Sequence, residues 1–128
     1  MSWKPDGYNS LSPYLIVKGA QRVIDFATRT FDAVALRRYD QPDGTLMHGE
    51  LRVGDTVVML GEAGADWPAV PAHLHVYVED TDATFRRALA AGGEVVQEPR
   101  QRDGDPDRRG GVKDPAGNTW WIATQVSA

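Results

Sequence analysis

Apolar residues recur at two spacings along this chain, and together they predict strands and helices. Over Leu46–Val53 apolar or small residues alternate with polar ones, which predicts a strand. The Gly54-Asp55 pair then predicts a two-residue hairpin turn and a return strand over Thr56–Leu60. Apolar residues three or four positions apart predict amphipathic helices over Ala20–Phe31 and Asp82–Ala91.

The same order of elements occurs twice. Short apolar segments predict further strands over 14–17, 33–39, 73–78 and 94–97, and Asp114-Pro115-Ala116-Gly117-Asn118 predicts a turn into a closing strand. Each half therefore contains a strand, a helix and three more strands. The offset of roughly sixty residues is longer than that of solenoid repeats and indicates one duplicated unit. A polar leader is expected over Met1–Ser12, and the charged stretch 98–110 is predicted as a long loop, a length typical of functional lids.

This repeat predicts the architecture. One helix cannot cover both faces of a four-stranded sheet, whereas two units side by side can leave a concave surface of the kind that ligands favour. We therefore predict an α+β fold in which two βαβββ modules form a curved mixed β-sheet around a cleft, with the helices outside. The chain is expected to be a single domain, residues 1–128, with module 1 at about 13–62 and module 2 at about 73–124.

Composition excludes several classes of function. The formal net charge of −4 argues against nucleic-acid binding and is compatible with a neutral or cationic ligand. Because the chain has no cysteine, it has no disulfide, thiolate metal ligand or cysteine nucleophile. No apolar run is long enough to span a membrane and no signal peptide is evident, so a soluble cytoplasmic protein without a membrane partner is expected.

Three segments carry a resemblance to a known family. They read MHGELRVGDTVVML, HLHVYVEDTDATFRRALAAGGEVV and DRRGGVKDPAGNTWWIAT. With the βαβββ repeat, they resemble the vicinal oxygen chelate superfamily of glyoxalases, bleomycin-resistance proteins, fosfomycin-resistance enzymes and extradiol dioxygenases, and most of all its PhnB-like branch. The resemblance covers Pro13 to Thr124. It implies the fold, a small-molecule ligand and a homodimer, but it leaves the reaction open because this scaffold carries many functions.

The resemblance also implies where a metal would bind. In the metal-using glyoxalases four ligands come from the first and last strand of each half, and these positions fall here on Ser12, Met59, His73 and Trp121. Only His73 is a good ligand for a divalent metal. No cofactor and no standard metal site are therefore expected, and a standard glyoxalase I activity is disfavoured.

Strand parity brings further polar side chains to the predicted cleft. If Gly54-Asp55 forms a two-residue turn, Glu50 pairs with Met59 and shares its face, and His48 lies on that face too. His73 and His75 share a face by the same two-residue period. This set of His73, His75, His48 and Glu50 is either an alternative zinc or nickel site, a source of a general base, or a set of cross-strand hydrogen bonds.

Aromatic residues suggest a binding surface. Neighbouring residues in a strand point to opposite faces, so one of Trp120 and Trp121 is expected to line the cleft. A tryptophan at a ligand position offers a stacking face for a flat or cationic molecule. Arg108 is a candidate for reaching an anionic group of the ligand.

Two functions follow as hypotheses. The first is a metal-independent small-molecule-binding protein of the glyoxalase/bleomycin-resistance type. Its expected ligand-binding residues are Trp121, Met59, Glu50, His48, His73, His75 and Arg108. The second is a metal-dependent glyoxalase-like lyase or isomerase that uses the His73, His75, His48 and Glu50 set; whether the protein is an enzyme is left open.

Overall fold

Two equal series of elements make up the chain in the computed structural model, which describes residues 2–128. The first series is β1 Tyr14–Val17, α1 Ala20–Phe31, β2 Val34–Asp40, β3 Leu46–Val53 and β4 Thr56–Glu62. The second is β5 His73–Tyr77, α2 Thr81–Ala90, β6 Glu94–Gln101, β7 Asp107–Lys113 and β8 Thr119–Gln125. The predicted α+β class with two βαβββ modules is confirmed. Met1, the first residue of the expected leader, lies outside the described residues.

The strands form two four-stranded sheets, which we call sheet A (β1–β4) and sheet B (β5–β8). Their strand orders are β1-β4-β3-β2 and β5-β8-β7-β6. Strand β1 pairs with β4 in parallel, as β5 does with β8, and the other pairs are antiparallel, so both sheets are mixed. Val53 pairs with Thr56 and Glu50 with Met59, which confirms the register predicted from the Gly54-Asp55 turn.

One hydrophobic core joins the two halves. Each sheet turns alternate residues into it, for example Leu15 and Val17 from β1 and Trp120 and Ile122 from β8. The ring centroids of Phe26 in α1 and Trp120 in β8 lie 6.2 Å apart. We call the side of each sheet that turns away from this core its open face. The core thus carries the packing, and the open faces carry the polar residues singled out in the sequence.

An N-terminal arm, residues 4–13, lies against the open face of sheet A. The amide of Val57 donates to the side-chain oxygen of Asn9 at 2.8 Å, and the Arg37 guanidinium lies 5.5 Å from the centroid of the Tyr8 ring. Covered by this arm, Glu50 is only 5% exposed although it points away from the core.

The prediction of a long charged loop over 98–110 is wrong. Strand β6 continues to Gln101 and β7 begins at Asp107, so only a short turn separates them. Backbone pairing of Arg100 with Arg109 continues the ladder, after a register shift beyond Gln97. The apolar pattern missed this hairpin because β6 is an edge strand whose side chains are largely exposed, so its strand character comes from backbone pairing and not from apolar burial. None of the helices in residues 2–128 is long and apolar enough to cross a membrane.

Candidate functional site

The turn before β8 sets the position of both tryptophans. The buried Asp114 carboxylate accepts hydrogen bonds from the amides of Ala116 (2.8 Å) and Asn118 (3.1 Å), from Asn118 Nδ2 (3.0 Å) and from Trp120 Nε1 (2.8 Å). Gly117 adopts φ +92°, a conformation that favours glycine. This carboxylate holds Trp120 in the core, and strand alternation then directs Trp121 to the open face of sheet B.

Trp121 forms a flat platform on sheet B. A Cβ atom on Gly111 would lie 2.7 Å from Trp121 Cζ3, so the indole rests directly on the backbone of β7. Trp121 Nε1 donates to His73 Nδ1 at 3.1 Å, and the two rings are inclined by only 10°. The platform is held from below and from one side, while its upper surface stays partly exposed.

A charged network continues this face beside His75. Arg109 donates from Nε to His75 Nε2 at 3.1 Å, and its two other nitrogens bind Asp105 at 2.7 Å and Asp107 at 2.8 Å. Tyr77 donates its hydroxyl to Asp107 at 2.6 Å. Burial and the neighbouring Arg109 charge lower the pKa of His75. Because Arg109 Nε donates to it, His75 Nε2 acts as an acceptor and carries no proton in this contact.

On the open face of sheet A, four side chains form a hydrogen-bonded series. Tyr8 donates to Glu50 Oε1 at 2.5 Å, His48 Nε2 lies 2.8 Å from Glu50 Oε2, and the Tyr14 hydroxyl lies 3.0 Å from His48 Nδ1. Burial opposes ionisation of Glu50, but the hydrogen bonds from His48 and Tyr8 outweigh it and hold the pKa of Glu50 below its usual range. Burial and the charge of Glu50 raise the pKa of Tyr14.

The predicted alternative metal ligands do not converge within one chain. His48 and Glu50 lie together on sheet A, whereas His73 and His75 lie on sheet B. Across residues 2–128 there is no group of three or more His, Cys, Asp or Glu side chains close enough to hold a metal ion.

The hydrogen bonds also occupy the imidazole lone pairs. A neutral imidazole has one lone pair on its ring nitrogens, and metal binding requires it. His73 uses it to accept from Trp121, and His75 uses it to accept from Arg109. Because ionised Glu50 only accepts, neutral His48 has its N–H on Nε2, and its remaining lone pair, on Nδ1, lies 3.0 Å from the Tyr14 hydroxyl. The residues present therefore do not fit the metal centre that the resemblance implies.

The other predicted site residues occupy distinct places. Met59 pairs with both Tyr14 and Glu50 on sheet A. Arg108 binds both carboxylate oxygens of Asp82 in α2, at 2.8 and 2.9 Å. The arginine that contacts His75 is not Arg108 but Arg109, the next residue in the chain.

Sequence reasoning missed three participants, namely Tyr8, Tyr14 as a partner of His48, and Arg109. The two-residue period places Tyr14 beside Met59 once β1 and β4 are paired, so this one had a usable signal. Tyr8 lies in an arm whose course no pattern predicts.

Two cavities adjoin these faces. The larger, of about 850 Å³, lies beside sheet A and is lined by residues that include Tyr14, Ile16, Met47, Gly61, Glu62 and Trp67. The second, of about 560 Å³, lies between the β3–β4 hairpin and β5, and its lining includes Pro13, Val58, His73, Leu74 and Trp120. Both are large enough for a small organic molecule.

Comparison with known proteins gives a consistent result. The family model for the Glyoxalase/Bleomycin resistance protein/Dioxygenase superfamily matches residues 8–122. An uncharacterized protein of Mycobacterium bovis is 38% identical over 91% of this chain and 84% of its own length. Among solved structures, TioX from Micromonospora sp. ML1 aligns with a TM-score of 0.77 at 25% identity, over 91% of this chain and 98% of that one. The fosfomycin resistance protein FosX from Listeria monocytogenes aligns with a TM-score of 0.70 at 15% identity, over 91% of this chain and 92% of that one, a likeness of fold alone.

Proposed function

Because the chain belongs to the Glyoxalase/Bleomycin resistance protein/Dioxygenase superfamily, we propose that it binds a small organic molecule without the four-ligand metal site of its metal-using relatives. The observation that carries this proposal is the engagement of the imidazole lone pairs of His73, His75 and His48 by donors of the protein itself. A metal would have to displace an indole, a guanidinium and a phenol to reach them. Ligand binding without a metal requires none of these changes.

The shape of the Trp121 platform supports a flat ligand. A partly exposed indole face held on Gly111 offers stacking area at little cost in side-chain entropy, and it attracts cations. Neutral His73 presents an Nε2–H donor beside it, since its Nδ1 accepts from Trp121. With a net charge of −4, the protein suits an uncharged or cationic ligand.

Two finer assignments belong to this proposal. We propose that the chain belongs to the PhnB-like branch that its three sequence segments resemble; a PhnB protein from Bacillus cereus shares the fold, with a TM-score of 0.68 at 17% identity. We also expect a homodimer, since the outermost strands β2 and β6 expose apolar side chains to solvent, namely Val34, Tyr39, Val95 and Val96. A cytoplasmic location is the expectation from the sequence.

The test compares ligands and metals on the same protein. Thermal shift and calorimetry with flat aromatic amines, and with carboxylates of the same ring size, should show stabilisation by the amines. Replacing Trp121 by leucine should abolish it. Trp3→Leu serves as the matched control, because Trp3 is 85% exposed and lines neither cavity.

The same protein is then analysed for bound metal and titrated with Zn²⁺, Ni²⁺ and Mn²⁺. We expect no metal-dependent shift. A shift that His73→Ala abolishes would overturn the metal-independent proposal and support the lyase or isomerase hypothesis with its His73, His75, His48 and Glu50 site.

A further inference from the structure

We propose that His48, acting through Tyr14, is a general base for a metal-free proton transfer in the 850 Å³ cavity beside sheet A. This activity goes beyond ligand binding and does not involve the Trp121 platform. It requires only the series Tyr8–Glu50–His48–Tyr14 and the cavity that Tyr14 lines.

With His48 neutral, the series allows one direction for each hydrogen bond. Glu50 is buried and ionised, so it accepts from Tyr8 and from His48 Nε2. Neutral His48 then has its only lone pair on Nδ1, which lies 3.0 Å from the Tyr14 hydroxyl. A carboxylate that orients an imidazole, which in turn accepts from a hydroxyl, is the arrangement that activates a hydroxyl for proton transfer.

The Tyr14 hydroxyl lies at the cavity wall. Tyr14 is 46% exposed, and its oxygen would be 3.2 Å from a Cβ atom on Gly61, which also lines the cavity. The absence of a side chain at Gly61 therefore leaves room for the phenol over β4. A molecule in the cavity can reach the Tyr14 oxygen, whereas His48 is reached through it.

The proton transfer is balanced without an additional reactant. The substrate proton passes to the Tyr14 oxygen as the Tyr14 proton passes to His48 Nδ1, and the bonding electron pair remains on the substrate atom. The resulting imidazolium is stabilised by the Glu50 carboxylate 2.8 Å from Nε2. Reversal of the two transfers at a different substrate atom would complete an isomerisation.

The cavity walls indicate the class of substrate. Apolar surface comes from Ile16, Met47 and Trp67, and acidic groups come from Asp43, Glu62 and Asp66. None of its lining residues within the described chain is lysine or arginine. These walls favour a flat, uncharged or cationic molecule with an acidic C–H or N–H bond and disfavour an anion.

A neutral, flat probe tests the base directly. In 5-nitrobenzisoxazole, removal of the C–H proton breaks the N–O bond and gives a nitrile and a coloured phenolate, so no other group needs to act. We expect the protein to exceed the rate of free imidazole at equal concentration. Tyr14→Phe and His48→Gln should each lower kcat/KM by at least about tenfold, since positioned bases contribute about a hundredfold or more.

Tyr39→Phe is the matched control, because the Tyr39 ring lies 6.1 Å from that of His48 but its hydroxyl is outside the series. Glu50 is a positioning residue, so Glu50→Gln should shift the apparent pKa in the pH profile of kcat/KM as well as lower its maximum. A wild-type rate no higher than free imidazole, or equal rates in Tyr14→Phe and wild type, would overturn the proposal.

A measurement on the wild-type protein tests the proposal even if His48→Gln does not fold. Long-range ¹H–¹⁵N NMR of the wild-type protein should show His48 protonated at Nε2 and an acceptor at Nδ1. The opposite tautomer would also overturn the proposal. Failure here would leave binding at Trp121 intact, since that site is assayed separately by thermal shift.

Discussion

At the scale of single residues, the contact between Arg109 and His75 makes a prediction about titration. Burial and the Arg109 charge lower the pKa of His75 from its usual value near 6.5. We expect NMR titration to place this pKa below 6.5, and Arg109→Met to raise it, because the substitution removes the positive charge and leaves Asp105 and Asp107 nearby. Arg108→Met, which removes an arginine bound to Asp82, is the control and should leave the His75 titration in place.

The same shift affects stability. Because the folded-state pKa is lowered, the unfolded chain takes up a proton first as the pH falls, so the His75 contribution is present above pH 6.5 and is lost below it. In Arg109→Met this loss should shrink. An unchanged His75 titration in that variant would contradict the contact.

Residue parity explains which side chains were found from the sequence. The two-residue period placed His48 with Glu50 and His73 with His75, and the pairing of Met59 with Glu50 follows from one hairpin turn. The two-residue period could not predict that each imidazole accepts a hydrogen bond from a donor in the protein. The donor to His73 is Trp121 in the adjacent parallel strand β8. The donors to His48 and His75 are Tyr14 in β1 and Arg109 in β7, each two strands away in its sheet, and only the packed chain brings them within 3.1 Å.

At the scale of elements, the turn into β8 depends on one carboxylate. Asp114 accepts four hydrogen bonds from buried or partly buried donors. Asp114→Ala should lower the free energy of unfolding by about 3 kcal/mol or more, because unsatisfied buried donors cost roughly 1–3 kcal/mol each. Urea denaturation measures this, with Asp103→Ala in the exposed β6–β7 turn as control. Equal losses in the two variants would contradict the role of Asp114.

Elements with a buried apolar face were predictable from the spacing, whereas the outer part of the β6–β7 hairpin was not. Helix α1 begins and ends at the residues that the spacing predicts, since its apolar stripe is buried in the core. The β6–β7 hairpin was taken for a loop because its outer part carries charged side chains, although the backbone ladder continues between Arg100 and Arg109. Apolar spacing reports burial, and an edge strand needs little of it.

At the scale of the whole molecule, the exposed apolar residues of β2 and β6 predict a second copy as partner. Light scattering should give twice the chain mass of 14.1 kDa. Tyr39→Arg and Val95→Arg should each shift the protein toward the monomer, because burying the new charge in an apolar contact would be costly. Val126→Arg, at a residue that is 50% exposed near the end of the chain, is the control. A monomer at all concentrations would contradict the expected homodimer.

The division between a shared core and two open faces has an evolutionary consequence. Leu15, Phe26 and Trp120 stabilise both halves at once, so selection has little freedom there. Exchanges at exposed positions such as Tyr14 and Tyr77 remove little packing and would leave most of the folding free energy intact. A lineage built on this scaffold can therefore acquire new ligands or chemistries by a few substitutions, without first accumulating compensating changes elsewhere.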